Sequence, residues 1–468
     1  MASEEYASIV RGKIQRLDHK IDLLRAPRAV LLRELNAFDS ATRNLPLETL
    51  SGIFLLACPS TTEKPPPQMV LRSVSTHWRD VVDSTPYLWN SIDLDHIGPE
   101  KESKKWYTQY LEFFLERSGR LPLDLRISFS IITNGGNAKH IISLEADRMI
   151  KKNISRIRSL KLSLVPEKFF DLVPRMKTLV SLSIHYQRDF KLQLLADNMI
   201  QELAFTCEPA TFTRPESLGS ITQLRLENMC IGFALGLFLA CPNVVEFTAR
   251  RLRFESQNSP VNAIPDGLVV LQNIRKLVWE APLNRESQWN RAFLRRFRFP
   301  ALEHLRWEQK SCPRMDESTA LFFARLPATL KILVLVGVDR YYRDEGTFFN
   351  YIRHDTAIET IELVDCKEFI SYSFSYLGMR GKDGRIPFPK LSSLNFSEDK
   401  LTGNSVELFL GFVDFRLEIE ERVFHVLAEG VSDRWADDVW IDLMQVQAAQ
   451  SRLNFIVRDN EGNEYKWP

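Results

Sequence analysis

Cysteine is sparse in this chain: six residues among 468, at positions 58, 207, 230, 241, 312 and 366, with no Cys-x-x-Cys pair. Such irregular spacing supports neither a disulfide framework nor a zinc site, and it suits a reducing compartment. Charge of one sign is lacking too. The 61 Lys and Arg residues against 60 Asp and Glu leave a net charge of +1, so no overall field draws the chain to nucleic acid or an anionic membrane. The basic run at 291–298 is offset by Glu303 and Glu308 and reads as a solvated helix face. Long apolar runs are missing as well. The longest, 231–241, falls far short of the ~20 residues that cross a bilayer, and the amino terminus has no secretory signal pattern. The expectation is a soluble protein of the cytoplasm, the nucleus or both, with no nucleic-acid or membrane partner.

Catalytic signatures are also absent. The sequence holds no Gly-rich phosphate loop, no Gly-x-Ser-x-Gly elbow, no His-Glu-x-x-His and no kinase set. Asn134-Gly135-Gly136-Asn137 reads as a turn. Asp437 and Asp438 are adjacent, and adjacent residues on a helix do not face each other. A chain that is no enzyme, with no cofactor and no metal, is expected.

What is present begins with a seam. Val10, Ile14, Leu17, Ile21, Leu24, Leu31, Leu35 and Phe38 follow alternating steps of four and three, interrupted by Arg28 beside Pro27. A Pro inside a helix costs ~3 kcal/mol or more, so a kink or split is expected there. Two uses fit the seam over 9–38: a device for parallel homodimerisation, or a helical hairpin packed on the neighbouring module.

That module, 44–94, has the texture of short amphipathic helices. Leu47, Leu50, Ile53 and Phe54 recur at helical spacing after Leu45-Pro46. Val70, Val74, Trp78 and Val81 or Val82 make a second stripe, ended by Ser84 and Pro86 before Tyr87-Leu88-Trp89. Helices this short cannot bury all their apolar surface among themselves, so a partner or a neighbouring domain must cover the rest.

Leu45-Pro46-Leu47-Glu48, Val74, Trp78-Arg79 and Leu88-Trp89 resemble an F-box, with Ser75 where the family often has Cys and a Pro-rich insert at 60–67. The resemblance implies docking on a Skp-type adaptor, and through it on a cullin of a ubiquitin ligase. Leu45, Pro46, Leu47, Leu50, Ile53, Val74, Trp78, Leu88 and Trp89 would include the docking residues, divided between the adaptor and the module's own core.

After Trp89 the pattern becomes strand (Ile92, Leu94), helix (Trp106, Tyr110, Phe113, Phe114) and strand (Leu123, Leu125, Ile127), the start of a parallel sheet. An apolar triplet then recurs, including Leu182/Ile184 after Leu179, Leu277/Trp279 after Ile274, Leu333/Leu335 after Leu330 and Leu394/Phe396 after Leu391. Its intervals run from about 21 to about 33 residues, the range of leucine-rich repeats. Several copies follow a helical segment that closes on Pro, as at Pro174, Pro242, Pro300 and Pro327. This region resembles the leucine-rich-repeat domains that often follow an F-box. In such a repeat Cys366 stands where Asn or Cys hydrogen-bonds the turn.

The fold expected is therefore α/β: a coiled-coil-like helix (1–43), an F-box-like module (44–94), a leucine-rich-repeat solenoid with a parallel sheet (95–405) and a cap or tail (406–468). Alternation puts one ladder of residues outward, from Lys161 and Ser183 to Glu362 and Asn395. In that ladder Ile332, Val334 and Val336 would form an exposed aliphatic patch beside Lys276, Val278, His304 and Arg306. These seven residues are the candidate surface for an unidentified target protein. Alternatively the tail, with Phe409, Phe412, Phe415, Trp435, Trp440 and the strand-like 453–457, folds back over them. The function implied is a substrate-recognition adaptor of an SCF-type ubiquitin ligase. The alternative is a ligase-independent scaffold that self-associates through its amino-terminal helix.

Overall fold

A computed structural model describes residues 2–39, 42, 44–58, 66–95, 102–128, 144–185, 190–195, 198–214, 216–253, 265–282, 288–309, 316–338, 348–353, 356–381, 384–397, 403–419, 422–430, 452–458 and 464. The chain is α/β with a large parallel sheet and forms two compact units, 1–160 and 161–468.

The first unit opens with α1 (Ala2–Asp39), a single helix of 38 residues with Pro27 inside it. The helix is not split in two at Pro27 and Arg28. Helices α2 (Leu47–Ala57), α3 (Pro67–Val74) and α4 (Thr76–Asp83) come next, then a single 3-10 turn at Pro86–Leu88. The second apolar stripe is thus two helices, not one. Ser75 divides them: its backbone is extended, and its hydroxyl accepts a hydrogen bond from the Trp78 N–H at 3.1 Å, the N-cap of α4.

Strands β1 (Ser91–Asp95) and β2 (Leu123–Ser128), joined through α5 (Glu102–Arg117), pair in parallel, as the sequence pattern predicts. Helix α6 (Leu144–Lys152) comes after them. The core of the short helices is continuous with α5, because Trp89 sits edge-on to Phe113 and Phe114 at 5.1 and 5.0 Å. The division between the two compact units falls within β3 (Ile157–Ser163).

The second unit is a ladder of parallel strands. In chain order they are β4 (Ser181–His185), β5 (Lys191–Gln193), β6 (Glu202–Phe205), β7 (Thr211–Thr213), β8 (Gln223–Glu227) and β9 (Glu246–Arg250). Then come β10 (Val269–Val270), β11 (Lys276–Glu280), β12 (Phe297–Arg298), β13 (His304–Glu308), β14 (Ile332–Val336), β15 (Thr360–Val364) and β16 (Ser393–Ser397). The last two are β17 (Phe424–Glu429) and β18 (Leu453–Arg458). Setting aside the side pairs β5–β7 and β10–β12, each strand pairs with the next along the chain.

The register makes two apolar columns. One runs Leu182, Leu203, Leu224, Phe247, Leu277, Leu305, Leu333, Ile361, Leu394, Val426, Phe455. The other, two residues on, ends Trp279, Trp307, Leu335, Leu363, Phe396, Ala428, Val457. A period of two puts both columns on one face, and the members through β16 are buried. Between strands run α7 (Ile231–Leu239), α8 (Gln288–Arg296), α9 (Glu317–Phe323), α10 (Lys367–Leu377) and α11 (Gly403–Ile419). Aromatic rings join helices to columns: Phe238 stacks on Phe247 at 3.9 Å, and Phe293 on Trp279 at 3.9 Å.

Several strands end alike. Asn228, Arg251, Gly337, Asp365 and Gly430, each the first residue after a strand, have φ between 49 and 66°. This left-handed step turns the chain out of the sheet. The N–H of Asn228 then donates to Arg250 O, that of Gly337 to Val364 O and that of Gly430 to Arg458 O. Cys366, fully buried, directs its Sγ to the carbonyls of Leu335 and Val364, both at 3.3 Å.

The ladder does not stop at 405. Helix α11 packs on α10 through Phe374 and Phe409 at 5.1 Å, and β17 and β18 add two more strands in register. The described residues of the tail thus extend the sheet; Trp435, Trp440, Asp437, Asp438 and the 134–137 turn lie outside the described residues.

Candidate functional site

Helices α2, α3 and α4 divide the sequence-predicted docking residues into two sets. Leu50, Leu88 and Trp89 are buried, as are Phe54, Val81 and Val82 in the same helices. The Trp89 indole donates to Val82 O at 2.8 Å, and Arg117 lies against both Trp89 and Phe113 while pairing with Asp83 at 3.2 Å. Leu50, Leu88 and Trp89 are thus the members of the set that build the module's own core. Helical spacing alone could not separate Leu50 from its exposed neighbours on α2, since three-residue and four-residue steps place both kinds on adjoining faces.

Pro46, Leu47, Ile53 and Val74 are exposed, while Leu45 and Trp78 are half-buried. Trp78 packs on Phe54 at 4.8 Å and donates to the Thr42 hydroxyl at 2.9 Å. Leu55, Leu56 and Met69, which the apolar stripes did not single out, are exposed as well, Leu56 at 84%. The sequence did carry the signal: Ile53-Phe54-Leu55-Leu56 is apolar all round, more than one buried face of a short helix can absorb. With Val70, which is also exposed, helices α2 and α3 carry several apolar side chains that are left in solvent. Arg72 and Asp83, paired at 2.8 Å, tie α3 to α4 beside it.

In the second unit the expected aliphatic patch is covered. Val334 is 1% exposed and Val336 9%, with Ile332 half-buried and the neighbouring Val278 at 5%, so the exposed aliphatic patch expected of Ile332, Val334 and Val336 is not what the fold provides. The physical reason lies in the strand itself. The unbroken run Ile332-Leu333-Val334-Leu335-Val336 is the pattern of a parallel strand buried on both faces, whereas a half-exposed strand alternates. In register, Val334 lies between Arg306 and Glu362, long side chains that flank it one strand spacing away.

What this face offers is charge. Lys276, His304 and Arg306 are half-buried. Glu308, 5% exposed, receives Arg250 at 2.6 Å and Arg306 at 2.7 Å on one carboxylate oxygen. Glu280, also buried, accepts the Arg251 backbone N–H at 3.0 Å. His304 holds a proton less readily than a free histidine, first because it is partly buried and then because Lys276 and Arg306 repel the charge; Glu246 opposes them.

Among the described residues no group of His, Cys, Asp and Glu is placed to hold a metal ion, and no helix is long and apolar enough to cross a membrane. In comparison with known proteins, no family model matches this sequence, and no curated protein matches it.

Proposed function

We propose that this chain is the substrate-recognition adaptor of an SCF-type ubiquitin ligase, working where that machinery works, in the cytoplasm or nucleus. The observation that carries the reading is the set of exposed apolar side chains on α2 and α3, with Leu47, Ile53, Leu56, Val70 and Val74 open to solvent while Leu50, Phe54, Val81, Val82, Leu88 and Trp89 are buried. Exposed surface of this kind marks a contact, and it lies in the stretch that resembles an F-box. The Skp-type adaptor is its proposed partner.

The second unit is then a leucine-rich-repeat solenoid that holds the target protein. The in-register parallel strands, the repeat of about 21 to 33 residues and the left-handed step after the strands support that reading. The half-exposed Lys276, His304, Arg306 and Ile332 are the residues of the proposed target surface within reach of a partner. The chain acts by proximity, fixing a target lysine near a charged ubiquitin carrier and raising its effective concentration without chemistry of its own.

Copurification with a Skp-type adaptor tests the reading. The change Leu47→Asp with Leu56→Asp is expected to abolish copurification while leaving the unfolding midpoint unchanged. Undiminished capture of the adaptor by the doubly changed chain sinks the proposal.

A further inference from the structure

Helix α1 presents its seam to solvent. Ile14, Leu17, Ile21, Leu24, Leu31 and Leu35 are each 50 to 67% exposed, on a helix of 38 residues. We infer that the occupant of this seam is a second copy of the chain, docked antiparallel. The seam is independent of the adaptor reading, which concerns α2 and α3.

The heptad assigns Ile14, Ile21, Arg28 and Leu35 to a positions and Val10, Leu17, Leu24 and Leu31 to d positions. Direction is decided by charge. In a parallel pair each a residue meets its own copy, so Arg28 faces Arg28 inside the seam, and Lys20 at g faces Arg25 at e. Like charges so placed repel.

In an antiparallel pair a meets d, g meets g and e meets e. The layers become Val10 with Leu35, Ile14 with Leu31, Leu17 with Arg28 and Ile21 with Leu24, each occurring twice about the two-fold axis. All eight seam positions from 10 to 35 are used. Lys13 then meets Glu34, and Asp18 meets Arg25 with Arg28 one step away on the same side, so the charge that breaks the seam acquires a counter-ion. The remaining flanking positions bring Lys20 to Pro27 and Arg11 to Leu32, with no repulsion. Lys13, Asp18, Arg25, Arg28 and Glu34 are all exposed, and Arg25 also pairs with Asp22 on its own helix at 2.9 Å. The arrangement holds the carboxyl ends of the two α1 helices about 50 Å apart, so each copy carries its own short-helix module at an opposite end of the pair.

The test is the concentration dependence of mass for the full chain by sedimentation equilibrium. A dimer is expected, lost on Ile21→Asp. Glu34→Lys has no charged neighbour three or four residues away on its own helix, so it reports on the partner alone. It is expected to weaken the dimer about tenfold by setting Lys against Lys13 twice, and Lys13→Glu added to it is expected to restore the dimer. A monomer at all concentrations, a dimer that survives Ile21→Asp, or a dimer that Glu34→Lys leaves unchanged or tightens, as in a parallel pair where Glu34 faces the acidic residue at 39, each overturns the inference.

Discussion

The Trp89 indole N–H donates to the Val82 carbonyl at 2.8 Å, with both residues fully buried. This bond ties the turn after α4 back to α4 and points the ring at Phe113 and Phe114, so Trp89 is the keystone between the short helices and α5. Trp89→Ala is expected to cost about 3–5 kcal/mol and Trp89→Phe about 1–2 kcal/mol, the second through the lost hydrogen bond and a small void. Urea unfolding of the two variants checks the order.

Leu50 and Leu47 lie three residues apart on α2, yet one is 1% and the other 55% exposed. Leu50→Asp should unfold the module, because an unpaired carboxylate would enter the core. Leu47→Asp should change stability by less than about 0.5 kcal/mol. Equal losses of midpoint for the two would contradict the burial described for α2.

Arg251 holds φ at 49° while its N–H binds Glu280 and its exposed guanidinium reaches Glu227 at 2.6 Å. Left-handed backbone costs a side-chain-bearing residue about 1–2 kcal/mol, and an exposed ion pair returns about 0–1 kcal/mol. Arg251→Gly is therefore expected to hold stability or raise it by up to about 1 kcal/mol, and Arg251→Val to lower it by about 1–2 kcal/mol. Thermal unfolding of the pair decides whether the turn is strained.

His304 links the charged face to pH. Its affinity for a proton is lowered in the folded chain, so the unfolded chain binds more proton in the window below the ordinary histidine value of about 6.5. Stability from this group is complete above that value and is lost as the pH falls through the window. His304→Gln should flatten the fall in unfolding free energy between pH 7 and pH 5 relative to the parent. Identical slopes for variant and parent would remove His304 from the account.

Gly378 closes α10 where α11 crosses: a Cβ there would lie 2.9 Å from Phe374 O and 2.9 Å from Phe412 Cα. Both are backbone atoms that cannot swing away. Gly378→Ala is expected to cost about 1–3 kcal/mol, read as a lower denaturation midpoint.

The columns of the sheet are legible in the sequence. Leu277/Trp279, Leu305/Trp307 and Leu333/Leu335 pair side by side as their spacing requires, because a period of two leaves one way to bury them together. The outward ladder is legible for the same reason, and Val278, Arg306, Val334 and Glu362 stand in register as the alternation predicts. Its exposure is not. Burial of Val334 depends on what lies beside and above the strand, and the sequence signals it only through the unbroken run 332–336. The split at Ser75 escapes a reading by apolar spacing because a hydroxyl competing for the Trp78 N–H leaves no mark on that spacing.

By itself the sequence determined the parallel strands and their register, the helical seam of α1 and the apolar surplus of the short helices, all of which derive from the periodicity of side chains along one chain. Only the tertiary structure decided which apolar residues spend that surplus inward and which face water. Leu50 and Leu47 look alike at helical spacing, and a face becomes core only when another element, here α4 and α5 with their aromatic rings, arrives to cover it.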